Sequence, residues 1–235
     1  MKKERFITEK LYTLLLALNV PLSIGYMLLM YFLLNLMGSR VEIGMEVEDR
    51  LLKAAAIGYF VLAAIFIVAV TVLGLMSVIK AFRTFNKSAE DCVRGMLIHK
   101  TRMIAFFVIN MVWDVFFSLF LLAASRGTFI LFMPIVWTVM VYFTWITLIP
   151  GGVWGIQAAR ASVKEKGMSK PQAVLHGILQ FVFMVDVLDC LYLAAIKWGM
   201  GKKRAVVILV LYAVLIALAV IGVIKIQNAF QALGS

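Results

Sequence analysis

Residues 103–125, MIAFFVINMVWDVFFSLFLLAAS, decide the class of this protein. They contain a single charged side chain, Asp114, and a helix needs about 20 apolar residues to cross a hydrocarbon core of roughly 30 Å. Similar stretches elsewhere bring the number of predicted helices to six: Leu11–Met37, Leu51–Ala81, Met103–Ser125, Thr128–Ile149, Lys170–Ile196 and Ala205–Ile226. The sequence therefore predicts an all-α integral membrane protein with six transmembrane helices.

The composition of the whole chain agrees with this class. Of its 235 residues, 64% are hydrophobic and 15% are charged, whereas a soluble domain is about half apolar and a quarter charged. We therefore expect one polytopic membrane domain over residues 1–235. The first apolar stretch is much longer than the 7–15 residues that are typical of a signal peptide, so we expect it to be a retained span.

The net charge of +11 is interpreted through the loops, because Lys and Arg concentrate on the cytoplasmic side of membrane proteins. We expect no nucleic-acid partner. We expect the protein to lie in the cell membrane with its N-terminus in the cytoplasm. If all six helices cross, 15 basic residues lie on the cytoplasmic side and 8 on the outer side. If residues 170–196 lie along the surface instead, the split becomes 18 and 5, so the charge distribution alone favours five spans.

An internal repeat favours six spans. The pattern [Asn/Asp]-Val-x-x-[Ser/Cys]-[Leu/Ile] occurs in the first, third and fifth predicted helices, where it begins at Asn19, Asp114 and Asp186. A glycine followed seven residues later by alanine occurs near the end of the second, fourth and sixth, at Gly74, Gly151 and Gly222. Since tandem repeats keep the order and spacing of such features, the sequence predicts three helical hairpins, at 1–83, 95–160 and 167–231.

Two serines are predicted to cap helices on the cytoplasmic side. In the segment 169–172, Ser-Lys-Pro-Gln, the serine can cap the helix, the proline fits its first turn and the glutamine can bond back to the serine. The segment 88–91, Ser-Ala-Glu-Asp, offers a similar start before the third helix. We therefore expect both helices to begin outside the bilayer.

Polar side chains within apolar helices are the candidate site, because they are costly to place in lipid. Asn110, Asp114 and Ser118 recur every four residues and form one stripe of the third helix. On the fifth helix His176, Gln180 and Asp186 share one side and Asp189 lies at its edge, while Asn19 is the repeat equivalent on the first helix.

These residues allow two interpretations. Two carboxylates at similar depth can share a proton or hold a cation on the axis of the bundle. Alternatively, protonated aspartates tie helices together through hydrogen bonds. The sequence does not decide between them.

Known catalytic and cofactor motifs are missing. The chain has no P-loop, no His-Glu-x-x-His and no Gly-x-Ser-x-Gly pattern, and two cysteines cannot form a disulfide framework. We therefore predict no enzyme, no catalytic residues, no cofactor and no metal.

The function expected first is transport of an ion or small solute by a permease-like or channel-like protein, with proton coupling or as a subunit of a larger transporter. A non-transporting accessory, immunity or assembly protein is the alternative, and an intramembrane enzyme is the third and weakest. The partners expected are the lipid bilayer and, beyond it, a second copy of the chain or a membrane or ATPase subunit. For the small residues Gly151, Gly155 and Ala159, packing within the chain is the first use expected.

Overall fold

The computed structural model describes residues 6–40 and 45–234. Among these residues the chain is all-helical, with no strands. The described residues exclude the basic N-terminal segment 1–5, part of the predicted outer loop, 41–44, and residue 235.

Four helices are long: α1, Ile7–Arg40; α2, Met45–Phe85; α3, Ala89–Ala124; and α8, Lys202–Gly234. A fifth long stretch consists of a 3₁₀ helix, Thr128–Phe132, followed by α4, Met133–Thr147, and α5, Ile149–Glu165. Within the described part of the chain, five stretches are long and apolar enough to cross a membrane: Ile7–Tyr26, Lys53–Phe85, Ala89–Ala123, Thr128–Glu165 and Lys202–Gly222.

The predicted fifth helix, Lys170–Ile196, is not continuous. It divides into α6, Lys170–Leu179; α7, Val185–Leu191; and a π-helix, Tyr192–Lys197. The chain turns between α6 and α7, where Met184 has a positive φ of 67°. This interrupted segment is not among the five candidate spans, so neither the six-span arrangement nor the three-hairpin repeat is confirmed.

Both predicted serine caps are confirmed. Ser88 accepts a hydrogen bond from the backbone N–H of Asp91 at 3.2 Å and starts α3. Ser169 and Gln172 form a reciprocal capping box at the start of α6. Because capping satisfies backbone N–H groups that a helix leaves free, these two short polar sequences fix where α3 and α6 begin.

The buried core lies at one end of the molecule, which we call the packed end. Its larger cluster draws residues from most of the helices, including Phe6, Val93, Met96, Trp154, Cys190 and Ala205. Phe6 precedes α1 and Ala205 lies in the first turn of α8, so both of these helices start at the packed end. The 36 residues of α3 rise roughly 54 Å, and α3 therefore extends well beyond a hydrocarbon core of about 30 Å.

Away from the packed end the large apolar side chains are exposed. Leu28 of α1, Phe60 of α2, Phe116 of α3 and Ile216 of α8 each show more than half of their surface. A soluble protein rarely exposes apolar patches of this extent, and lipid is the solvent that suits them. The fold is therefore compatible with a membrane protein, and its compact core lies at one end of the long apolar helices.

Candidate functional site

A buried ion pair joins α3 to the interrupted segment. Lys100 of α3 and Asp186 of α7 are each 1% exposed in their side chains, and Lys100 Nζ lies 2.6 Å from Asp186 Oδ2. The same ammonium group donates a hydrogen bond to the carbonyl oxygen of Gln180 at 2.9 Å. Removing either charge from such a pair strands its partner in a poorly solvated site.

Asp189, one turn after Asp186, links α7 back to α6. Its Oδ1 pairs with His176 Nδ1, and its Oδ2 accepts a hydrogen bond from Gln180 Nε2. The imidazole of His176 stacks on the ring of Tyr192, with centroids 5.4 Å apart. Lys100, His176, Gln180, Asp186 and Asp189 thus form one connected set, which we call the buried network.

Burial has the largest effect on the pKa of both carboxyl groups in the buried network. It raises the pKa of Asp186, although the nearby Lys100 charge opposes the rise. It also raises the pKa of Asp189, against the hydrogen bonds and charge of His176. Both carboxyl groups therefore hold a proton more readily than an exposed aspartate does.

Some polar atoms of the buried network have no hydrogen-bond partner among the described residues. They are Asp186 Oδ1 and Gln180 Oε1, and both residues are fully buried. Since buried acceptors are nearly always paired, these two oxygens can each accept a further hydrogen bond.

Close approach by α5 positions the turn after α6. A Cβ atom at Gly155 would lie 2.3 Å from the side chain of Gln180, and one at Gly152 would lie 2.6 Å from the ring of Phe181. A Cβ at Gly151 would meet Lys100 at 3.3 Å. The predicted small-residue face of this helix is thus used within the chain, where it receives the buried network.

The backbone beside Asp186 is unusual. Met184 adopts φ 67° and ψ −40°, a conformation that costs a non-glycine residue about 1–3 kcal/mol. A π-helix follows α7 at Tyr192–Lys197. Such helices are rare in proteins, and those that occur are often at functional sites. Both irregularities flank α7, which carries Asp186 and Asp189.

A second polar network connects α3 to α4. Asn110 Nδ2 donates to Asp114 Oδ2 at 2.9 Å and lies 3.3 Å from Thr144 Oγ1. Ser118 donates to the backbone carbonyl of Asp114 and accepts from Trp137 Nε1 at 3.0 Å. All three residues of the stripe predicted for the third helix take part in these hydrogen bonds.

The structure does not bring the three polar groups of the predicted repeat into one site. Asp186 pairs with Lys100, and Asp114 lies 14 residues further along α3, a rise of roughly 21 Å. Asn19 of α1 contributes its carbonyl oxygen to the Ser23 hydroxyl, 2.9 Å away. The predicted residues therefore fall into two separate networks, with Asn19 in neither.

Sequence reasoning missed Lys100 and His99. A lysine just before an apolar stretch looks like one of the basic residues that flank a span, and nothing nearby in sequence indicates its partner. His99 is fully buried, and neither ring nitrogen has a partner among the described residues. Its imidazole lies against Tyr12, with ring centroids 5.2 Å apart.

A second buried carboxylate was also missed. Glu9 of α1 is 0% exposed and pairs with Lys80 of α2 at 2.8 Å. Both residues lie near the ends of long apolar helices, where charged side chains are common and give no sign of a buried pair. Among the described residues, no group of three or more His, Cys, Asp or Glu is arranged to hold a metal ion.

The helices and the buried networks define an all-helical, membrane-compatible protein whose polar core lies at one end of its long apolar helices. The chain belongs to a family of unknown function (DUF6652), whose model matches residues 12–200. That range includes both networks and all of α6 and α7. No curated protein and no solved structure matches the chain.

Proposed function

We propose that this protein is a permease-like membrane protein, or the membrane subunit of a larger transporter, which moves an ion or small solute with proton coupling. The buried network is its working site. The observation that carries the proposal is the Lys100–Asp186 ion pair, 1% exposed on both sides, beside two buried oxygens without partners. Strongly perturbed, buried titratable groups cluster at functional sites.

The charges of the buried network suit a proton switch. Lys100 balances one carboxylate, and the second carboxylate, Asp189, contacts His176. A proton taken up by the His176–Asp189 pair changes the net charge of the network by one. Because Gln180 bonds to Asp189 and to Lys100, such a change reaches both carboxyl groups.

The interrupted segment is the part that we propose to move. It contains the strained backbone at Met184. Lys100 of α3 holds this segment by donating hydrogen bonds to the carbonyl oxygen of Gln180 and to the carboxylate of Asp186. Strain stored beside a charged pair favours two alternative packings over continuous bending. Protonation of the buried network would then release the segment from α3.

We propose that the protein crosses the cell membrane several times and that its packed end faces the cytoplasm. Segments 1–10, 80–102 and 160–204, which precede or join helices at this end, carry 18 of the 23 Lys and Arg. An excess of this kind marks the cytoplasmic side. The N-terminus is cytoplasmic in this arrangement, and the end of α8 lies outside.

Proton flux into proteoliposomes tests the proposal. An entrapped pH-sensitive dye reports proton entry under an imposed potassium diffusion potential, with protein-free liposomes as the baseline. We expect flux through the unmodified protein, and a loss of about tenfold in Asp186→Asn, equal to about 1.4 kcal/mol on a barrier.

Asp114→Asn is the matched control, since it makes the same chemical change in the second polar network. We expect it to retain most of the flux. Flux no greater than that of empty liposomes would exclude proton conduction by this chain alone. An Asp186→Asn variant that folds and conducts like the unmodified protein would exclude the proposed site.

A second candidate function is a non-transporting accessory or assembly module. The observation that favours it is α8, which contacts the core near Ala205 and Ile208 and then exposes apolar side chains in every direction. A helix of this kind suits an intramembrane partner. This candidate predicts stable co-purification with another membrane protein and tolerance of both aspartate changes.

A further inference from the structure

An open groove with basic and apolar walls lies between α5 and α6, beside the end of α2. It has a volume of about 740 Å³. Its basic side chains are Arg160, Lys164 and Lys170, and its apolar walls include Phe85, Val174 and Ile178. None of the described residues that line it is acidic, so the groove combines positive charge with an apolar surface.

The aromatic ring of Phe85 makes cation–π contacts with two of the basic side chains. Arg160 Cζ and Lys164 Nζ each lie 4.4 Å from the centroid of that ring. Among the described residues, neither of them nor Lys170 forms an ion pair with an acid. Three like charges in one groove repel each other, and an anion there would relieve the repulsion.

The groove lies beside the ends of two candidate spans. Phe85 ends the candidate span Lys53–Phe85, and Lys164 lies at the end of the candidate span Thr128–Glu165. The adjoining face of α6 exposes Val174, at 63%, and Ile178, at 59%. A short amphipathic helix with basic and apolar sides suits the interface between headgroups and acyl chains.

We infer that this groove binds an anionic phospholipid of the leaflet at the packed end. The phosphate lies among Arg160, Lys164 and Lys170, and the start of one acyl chain lies along Val174 and Ile178. Charge complementarity favours an anionic lipid over a zwitterionic one, since basic pockets at membrane surfaces bind anionic headgroups. The apolar wall favours a lipid over a free anion.

Native mass spectrometry of the full chain in a neutral detergent tests the inference. Phosphatidylglycerol, phosphatidylcholine and inorganic phosphate are titrated separately, and the occupancy of each is measured. We expect phosphatidylglycerol to bind at least about tenfold more tightly than phosphatidylcholine, with inorganic phosphate weaker than the anionic lipid.

Three variants complete the test. Arg160→Gln with Lys164→Gln and Lys170→Gln should weaken phosphatidylglycerol binding at least about tenfold. The charge-conserving set Arg160→Lys, Lys164→Arg and Lys170→Arg should restore it. A matched loss of three charges at the start of α8, in Lys202→Gln, Lys203→Gln and Arg204→Gln, should leave it within about twofold.

Equal binding of the two lipids by the unmodified protein would overturn the inference. So would equal loss in the groove variant and the α8 variant, since that result indicates general surface charge. Binding of inorganic phosphate as tight as that of phosphatidylglycerol would show a free-anion site in place of a lipid site.

Discussion

Two residues of the buried network, Lys100 and Asp186, carry opposite charges, and each stabilises the other in its buried position. Lys100 and Asp186 are removed from solvent together, and each lowers the cost of burying the other. The loss of one partner from a buried pair costs about 3–5 kcal/mol, whereas replacing both by apolar side chains is often neutral. This asymmetry gives the ion pair a distinctive mutational signature.

A double-mutant cycle measures the interaction free energy between Lys100 and Asp186. We expect Lys100→Met and Asp186→Leu each to lower the free energy of unfolding by about 3–5 kcal/mol. The double variant should lose less than the sum of the two, because no unpaired charge remains. Unfolding in mild detergent, followed by tryptophan fluorescence, gives the three values. Additive losses would mean that the two side chains do not interact.

Asp189 gives a pH dependence whose sign follows from its burial. Burial raises the pKa of Asp189 above its unfolded value, so the folded protein holds a proton that the unfolded chain releases. Its contribution to stability is present below the unfolded pKa and is lost as pH rises through the folded pKa. We expect Tm to fall as pH is raised from acidic values, and Asp189→Asn to flatten that fall.

The measurement is a series of melting curves of the two proteins over the same pH range. A slope that Asp189→Asn leaves unchanged would assign the pH dependence to other groups.

Four residues of the buried network could be predicted from the sequence because they are rare polar side chains in an apolar stretch. His176, Gln180, Asp186 and Asp189 were identified on this ground. Lys100 could not, because the pattern in its own helix gives no sign of an acid that lies 86 residues away. Long-range pairing of charges leaves no periodic trace in one sequence.

At the scale of elements, the glycine face of α5 and the break between α6 and α7 belong together. Gly152 and Gly155 leave no room for a side chain, and the turn from Gln180 to Met184 fills the space beside them. The break has no glycine or proline of its own, so local sequence predicted a continuous helix. Tertiary contacts, from Lys100 and from α5, are what favour the turn.

Alanine substitutions separate packed from open glycines. Gly155→Ala places a methyl group 2.3 Å from Gln180, and overpacking of this kind costs about 1–3 kcal/mol. Gly177→Ala, in α6, meets Ile156 at an ordinary 3.7 Å and should be neutral or stabilise by up to about 1 kcal/mol. Unfolding in detergent measures both, and equal effects would contradict the close approach of α5.

At the scale of the whole molecule, two sequence signals conflicted. The charge distribution favoured five spans and the internal repeat favoured six. Among the described residues, five stretches are long and apolar enough to cross a membrane, and neither the six spans nor the repeat is confirmed. The repeat was drawn from a small apolar alphabet, in which a single short match carries little information. The turn at 180–184 interrupts the predicted fifth helix and leaves no signal in the local sequence.

We propose that residues 170–201 stay on the same side of the membrane as the N-terminus. Labelling of single cysteines with a membrane-impermeant maleimide tests it most directly. The native Cys92 and Cys190 are both buried, and burial raises the pKa of the Cys190 thiol, so their background is low. Lys202→Cys and Arg126→Cys, at opposite ends of the spans, are compared in intact and permeabilised cells.

We predict that Arg126→Cys is labelled in intact cells and that Lys202→Cys is labelled only after permeabilisation. Labelling of Lys202→Cys in intact cells, with Arg126→Cys also labelled, would mean that residues 170–196 cross the bilayer, and it would contradict this account.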